Sequence, residues 1–261
     1  QIKELDIKIL GINDDFSFFV SSLEGIEKLK NLEKLNITCE NYIDEFGDEL
    51  TINENYELDL EPVSKLKKLK SINVSSKIYE LKNAKSLLKI PKLESADVSG
   101  VIHEGMKKKS SLKQIRLEYE DAEIIDKISN KLPNIEEIDL GYVEFIDAHK
   151  LATLKKLKKI TGNYDYIEYQ YENEFDDDNF YEDYEQEPDN RNVFYLDQIQ
   201  NLEEITTLDI WPRNLKKLKN IKKIKNLLLL INTFKDIEII KDKNLLIEEL
   251  SINSYHTTHG Q

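Results

Sequence analysis

The chain of 261 residues has a single cysteine, Cys39, which excludes an intrachain disulfide. Apolar runs are short. The longest, Leu227–Ile231, falls far below the roughly eighteen residues of a membrane helix and suits a buried strand. Glycine is scarce, and its eight copies stand singly, so no glycine-rich loop can cradle a phosphate. Histidine occurs four times, at His103, His149, His256 and His259. Only the last two are close together, in the tail YHTTHGQ, which carries no helix signal and no third ligand; the tail reads as a frayed terminus, and no metal site is expected. Cys39 has no neighbouring histidine or other base, so it reads as an incidental thiol rather than a nucleophile. Carboxylates are plentiful, but none sits in apolar sequence that would raise its pKa for acid–base work. A non-enzyme without a cofactor is expected. No secretory leader is visible, which favours the cytoplasm; because the chain starts at Gln1, secretion after removal of a leader stays open.

What the chain does have is a repeat. The stretch LKNLEKLNI at Leu29–Ile37 has the pattern L-x-x-L-x-x-L-x-L. It returns as LKKLKSINV at Leu66–Val74, IPKLESADV at Ile90–Val98, KSSLKQIRL at Lys109–Leu117, LPNIEEIDL at Leu132–Leu140 and LKKLKKITG at Leu154–Gly162. Later copies are QNLEEITTLDI at Gln200–Ile210, NIKKIKNLLL at Asn220–Leu229 and IEELSI at Ile247–Ile252, and IKELDI at Ile2–Ile7 is a shortened first one. With Leu35 as the reference slot, the following copies fall at Ile72, Ala96, Ile115, Ile138, Ile160, Leu208, Leu227 and Leu250. The gaps are 37, 24, 19, 23, 22, 48, 19 and 23 residues, and the two long ones mark insertions.

This L-x-x-L-x-L core at a spacing of roughly 20–29 residues resembles the leucine-rich repeat family. The resemblance implies an α/β solenoid, a curved horseshoe with a parallel β-sheet on its concave face and short helices or loops on its convex face. It covers the whole chain, so one domain over 1–261 with about ten irregular repeats is expected. The family's Asn or Cys after the last apolar slot is replaced here by Glu40, Lys77, Val101, Glu120 and Val143, with only Asn232 fitting, which predicts an irregular coil. The lone cysteine also rules out the disulfide-pinned caps of secreted animal members. In each unit the apolar pair points one way, as Leu35 and Ile37 do, and Lys34, Asn36 and Thr38 point the other. Return helices are expected after Ser21-x-x-Glu24, at Pro62 and after Asp147. The lysines among them (Lys65, Lys67, Lys68, Lys155, Lys156, Lys158) read as a solvated helix face rather than a nucleic-acid contact.

Charge is unevenly spread. Residues 40–61 hold nine acids and no Lys or Arg; residues 164–190 hold twelve acids, again no base, and eight aromatics. Together they contribute −21, so against a total of −14 the remaining scaffold is +7. Such aromatic content argues against a merely self-repelling tract. Asp with Tyr is what a surface for a basic partner requires, the carboxylates pairing with Lys or Arg and Tyr offering area and a cation–π face. The residues expected to bind are Tyr169, Tyr171, Phe175, Asp176, Asp177, Asp178, Phe180, Tyr181 and Tyr184. A calcium loop does not fit, because Asp176–Asp178 are adjacent and no glycine makes the turn.

Read in columns, the concave face adds Arg116, Asp139, Asp209, Trp211, Leu228 and Leu230 to the expected binding set. Trp211, Leu228 and Leu230 would lie side by side, an apolar patch on a polar face. The leading expectation is a monomeric, non-catalytic protein-binding module for a basic protein, without direct nucleic-acid binding or a membrane span. Two alternatives share parts of the evidence. One is an inhibitor or immunity-type protein whose acidic loop imitates nucleic acid and blocks a nucleic-acid-handling enzyme. The other is a surface or adhesion repeat protein.

Overall fold

The computed structural model describes residues 2–10, 22–40, 56–76, 79–117, 119–140, 148–162, 196, 199–210, 215–216, 218–231, 234–241 and 244–254. Their contacts divide into two compact units, Gln1–Arg116 with Asn130–Asn134, and Leu117–Ser129 with Ile135–Gln261.

In the first unit, strands β1 (Glu4–Leu10), β2 (Lys34–Glu40), β4 (Ser71–Ser76), β6 (Ser95–Asp97) and β7 (Gln114–Arg116) follow one another side by side. Every pair is parallel and holds the register of the repeat: Leu35 faces Ile72, Ile72 faces Ala96, and Ala96 faces Ile115. The inward residues Leu35, Ile37, Ile72, Val74, Ala96, Val98, Ile115 and Leu117 are all buried. Alternation of the side chains puts the polar set of each strand on the opposite face. Two further strands, β3 (Tyr56–Asp59) and β5 (Tyr79–Lys82), form a separate parallel pair, extended by a bridge from Ser22 to Asp59. β3 occupies the end of the expected 40–61 insertion, so that part of the acidic stretch belongs to the repeat itself.

The second unit contributes β8 (Glu137–Asp139), β9 (Lys159–Thr161), β10 (Glu204–Ile210), β11 (Lys223–Ile231) and β12 (Leu246–Ser254), again parallel and in chain order. Here one expectation fails. Ile160 faces Ile205 rather than Leu208, so the columns assumed for this strand shift by three residues. The sequence EITTLDI offers apolar residues at 205, 208 and 210, and the strand uses all three, running seven residues where β9 has three.

The returns are tighter than the expected α-helices. Ile26–Lys28, Glu61–Lys65 and Ala84–Lys89 are 3-10 turns, and the one α-helix of length among the described residues is α1 (Tyr119–Ile128). Pro62 sits in the first turn as anticipated. Ser21 and Asp147 lie outside the described residues; it is Ser22 whose Oγ accepts the Glu24 N–H, at 3.2 Å.

The repeats meet most closely two residues before the reference slot. There the carbonyl of one repeat accepts two N–H groups from the next: Lys3 from Glu33 and Lys34, Glu33 from Lys70 and Ser71, Lys70 from Glu94 and Ser95, Glu94 from Lys113 and Gln114. In the second unit Glu136, Lys158 and Glu203 repeat the arrangement. The side chains at these same positions alternate in sign. Lys3 pairs with Glu33 at 3.5 Å, Glu33 with Lys70 at 2.6 Å and Glu94 with Lys113 at 2.8 Å; Glu136 pairs with Lys158 at 3.0 Å and Glu203 with Lys222 at 2.8 Å.

Candidate interaction surface

On the sheet face away from the core, the first unit carries a polar network. Asn36 donates to Asp6, and Asn73 donates to Asp97 at 2.8 Å. Arg116 Nε lies 2.7 Å from Asp97 Oδ1, with both side chains mostly shielded, at 23% and 15% exposure. In the next column Thr38 faces Ser75 in register, and both are short. In the second unit the row just before the inward slot is ionic, with Lys159 3.1 Å from Glu137 and Lys223 2.8 Å from Glu248 and 3.6 Å from Glu204. Asp97, Glu137, Glu204 and Glu248 are therefore matched by the protein's own bases.

Among the expected binding residues, Arg116 joins Asp97 in this network. Asp139 faces Thr161 in register and accepts the Leu117 N–H through its carbonyl at 2.8 Å. Leu228 is half-buried and stands between Asp209 and Ser251 in strand register. Leu230 faces Asn253. The strands carrying Asp209 and Leu230 are described, their side chains are not. Trp211 and Tyr169, Tyr171, Phe175, Asp176, Asp177, Asp178, Phe180, Tyr181 and Tyr184 lie outside the described residues, so the side-by-side grouping with Trp211 falls there too.

Sequence reading missed the asparagines of the turns. Asn134, Asn201 and Asn220 each stand four residues before the inward slot and donate to a carbonyl of the preceding repeat: Ser110 at 2.7 Å, Lys155 at 2.6 Å and Gln200 at 2.8 Å. The signal was present in the recurring N-[LI]-x-x-[LI]. The role expected of an asparagine after the strand is met by one before it. A shallow groove of about 400 Å³ runs past Asn201, Glu203, Asn220 and Lys222, but these groups are already bonded to carbonyls or to each other.

Cys39 is buried, and burial pushes its thiol up, against a smaller opposing effect of the Ser76 hydroxyl. Among the described residues no group of three His, Cys, Asp or Glu is placed to hold a metal ion. No helix among them is long and apolar enough to cross a membrane.

No family model matches the chain, and no curated protein does. Among solved structures, a Bacteroides fragilis protein aligns over 87% of this chain and 68% of its own, at 15% identity and a TM-score of 0.44. Internalin C2 of Listeria monocytogenes aligns over 91% and 78%, at 15% identity and a TM-score of 0.30. Superpositions of this quality carry no functional information. The parallel strands repeating L-x-L, with short helical returns, are nonetheless the leucine-rich-repeat-like arrangement that the sequence implied.

Proposed function

We propose that the chain is a non-catalytic protein-binding module that holds a basic protein partner with the open face of its sheet and the acidic, tyrosine-rich tract 164–190. The observation that carries this reading is the shortness of the polar residues on that face: Asn36, Thr38, Asn73 and Ser75 stand in register on β2 and β4 and let a partner approach the strands closely. Leu228 adds a half-buried apolar contact on the same side of its strand as Asp209 and Ser251. Because Asp97, Glu137 and Glu248 are matched internally, attraction for a basic partner rests on the acids of the tract, which has no base of its own, rather than on the sheet.

The test is capture from the native cell extract by the intact chain and by one lacking Phe175–Pro188, at low and at high salt. A basic protein held at low salt, released as salt rises and lost with the deletion is the expected result. Retention by the deleted form would move recognition to the sheet around Arg116, Asp139 and Leu228. Capture indifferent to salt would remove basic charge from the description of the partner.

A further inference from the structure

Within each unit, from Lys3 to Lys113 and from Glu136 to Lys222, neighbouring repeats are held by the same pair of backbone bonds and by apolar pairs that are nearly the same. Neither distinguishes the next repeat from the one after it, or from a repeat of a second copy. One position does. In chain order the strand-entry slot reads Lys3, Glu33, Lys70, Glu94 and Lys113 in the first unit, then Glu136, Lys158, Glu203 and Lys222 in the second. The sign alternates without exception through nine repeats. Five neighbouring pairs are in contact at 2.6–3.5 Å: Lys3–Glu33, Glu33–Lys70, Glu94–Lys113, Glu136–Lys158 and Glu203–Lys222. Between Lys70 and Glu94, and between Lys158 and Glu203, the attraction acts at longer range, without a contact.

We propose that this alternating ladder is a register key, selecting the adjacent repeat as strand neighbour and rejecting the repeat two steps away or the equivalent repeat of another copy. Skipping one repeat sets Lys against Lys or Glu against Glu, as does pairing a repeat with its own counterpart. These groups are half-exposed, so each pair stabilises only modestly. A modest term matters because the competing pairings share the backbone bonds and the apolar pairs, and discrimination needs only a difference between them.

The test uses the full chain and urea unfolding at low salt. Lys158→Glu places three acids in a row, at positions 136, 158 and 203, and is expected to lower the folding equilibrium constant roughly fivefold, through the Glu136 contact changed from attraction to repulsion and a longer-range repulsion from Glu203. Lys155→Glu, an exposed lysine of the same turn outside the ladder, makes the same change in net charge and is expected to have little effect. The joint inversion Glu136→Lys, Lys158→Glu, Glu203→Lys and Lys222→Glu restores alternation through the second unit with each of its four charges reversed, and should recover most of the loss. Refolding at low salt, followed by size-exclusion chromatography, reads the selection itself. Lys158→Glu should yield more associated chains than either the control or the inverted ladder, and the excess should vanish in about 1 M salt, where charges are screened within roughly 3 Å. Four results overturn the proposal: an inverted ladder no better than Lys158→Glu; equal losses from Lys155→Glu and Lys158→Glu; effects unmoved by salt; or a loss of stability with no rise in associated chains, which would leave the ladder an ordinary set of surface ion pairs.

Discussion

Arg116 was expected to face a partner, and its described neighbour belongs to its own sheet. Its guanidinium is mostly shielded beside Asp97, which also accepts from Asn73. Removing one member of a shielded pair leaves the other charge short of a partner. Arg116→Ala should therefore destabilise the chain by about 1–2 kcal/mol, read as a lower urea midpoint. Unchanged stability together with lost partner binding would return Arg116 to the recognition surface. Asn83 makes a different point. It holds φ 58°, in the left-handed region, and its amide donates to Asp59 at 2.8 Å, while the same carboxylate accepts the Glu61 N–H at 2.9 Å. Asn83→Ala loses the bond and strains the backbone, so a cost of about 1–2 kcal/mol is expected; Asn83→Gly loses only the bond and should cost less. Equal melting points for the two variants would show that the backbone angle is not the constraint.

At the scale of elements, the ladder and two further ion pairs, Glu61–Lys89 and Glu248–Lys223, couple stability to pH. The carboxyls of Glu33, Glu94 and Glu203 are held below their ordinary value of 4.5, chiefly by hydrogen bonds from Lys70, Lys113 and Lys222. Glu61 and Glu248 are held down in the same way by Lys89 and Lys223. A depressed carboxyl contributes stability above its unfolded value, and that contribution is lost as pH falls through the folded one. His103 acts in the same direction: burial first, then Lys85 and Lys131, hold it below its ordinary 6.5, so its neutral form stabilises the fold and protonation opposes it. The expected profile is level near neutrality, declines gently below about 6.5 and falls more steeply below about 4.5. Urea midpoints measured across this range check it, and a profile flat down to about pH 3 would show that these pairs do not contribute.

For the whole molecule, sequence and structure agree where the repeat is dense and part company where it thins. The slots Leu35, Ile72, Ala96 and Ile115 pair in the first unit, and Ile138 with Ile160 in the second, as their spacing required, because an inward L-x-L fixes which face of a strand is buried. After the long gap that follows Gly162 two apolar frames compete in EITTLDI, and spacing could not choose between Ile205 and Leu208 as the partner of Ile160. The β3–β5 pair was not legible although YELD and YELK lie residue for residue in register, since four-residue strands inside an acidic stretch read as insertion. The ladder was hidden for a different reason: its charges lie just before the strands, outside the columns that alternation defines. Of the expected binding set, alternation placed Arg116, Asp139 and Leu228 on the strands where the structure has them. The acidic tract was legible only as composition, which describes what it would attract but not where it lies.

The ladder also constrains how such a chain can lengthen. A gene that copies a single repeat in tandem sets two like charges next to each other at the join, whereas copying a pair keeps the signs in step. A protein of this kind therefore grows or shrinks most easily by two repeats at a time, and an odd change calls for a compensating charge reversal further along.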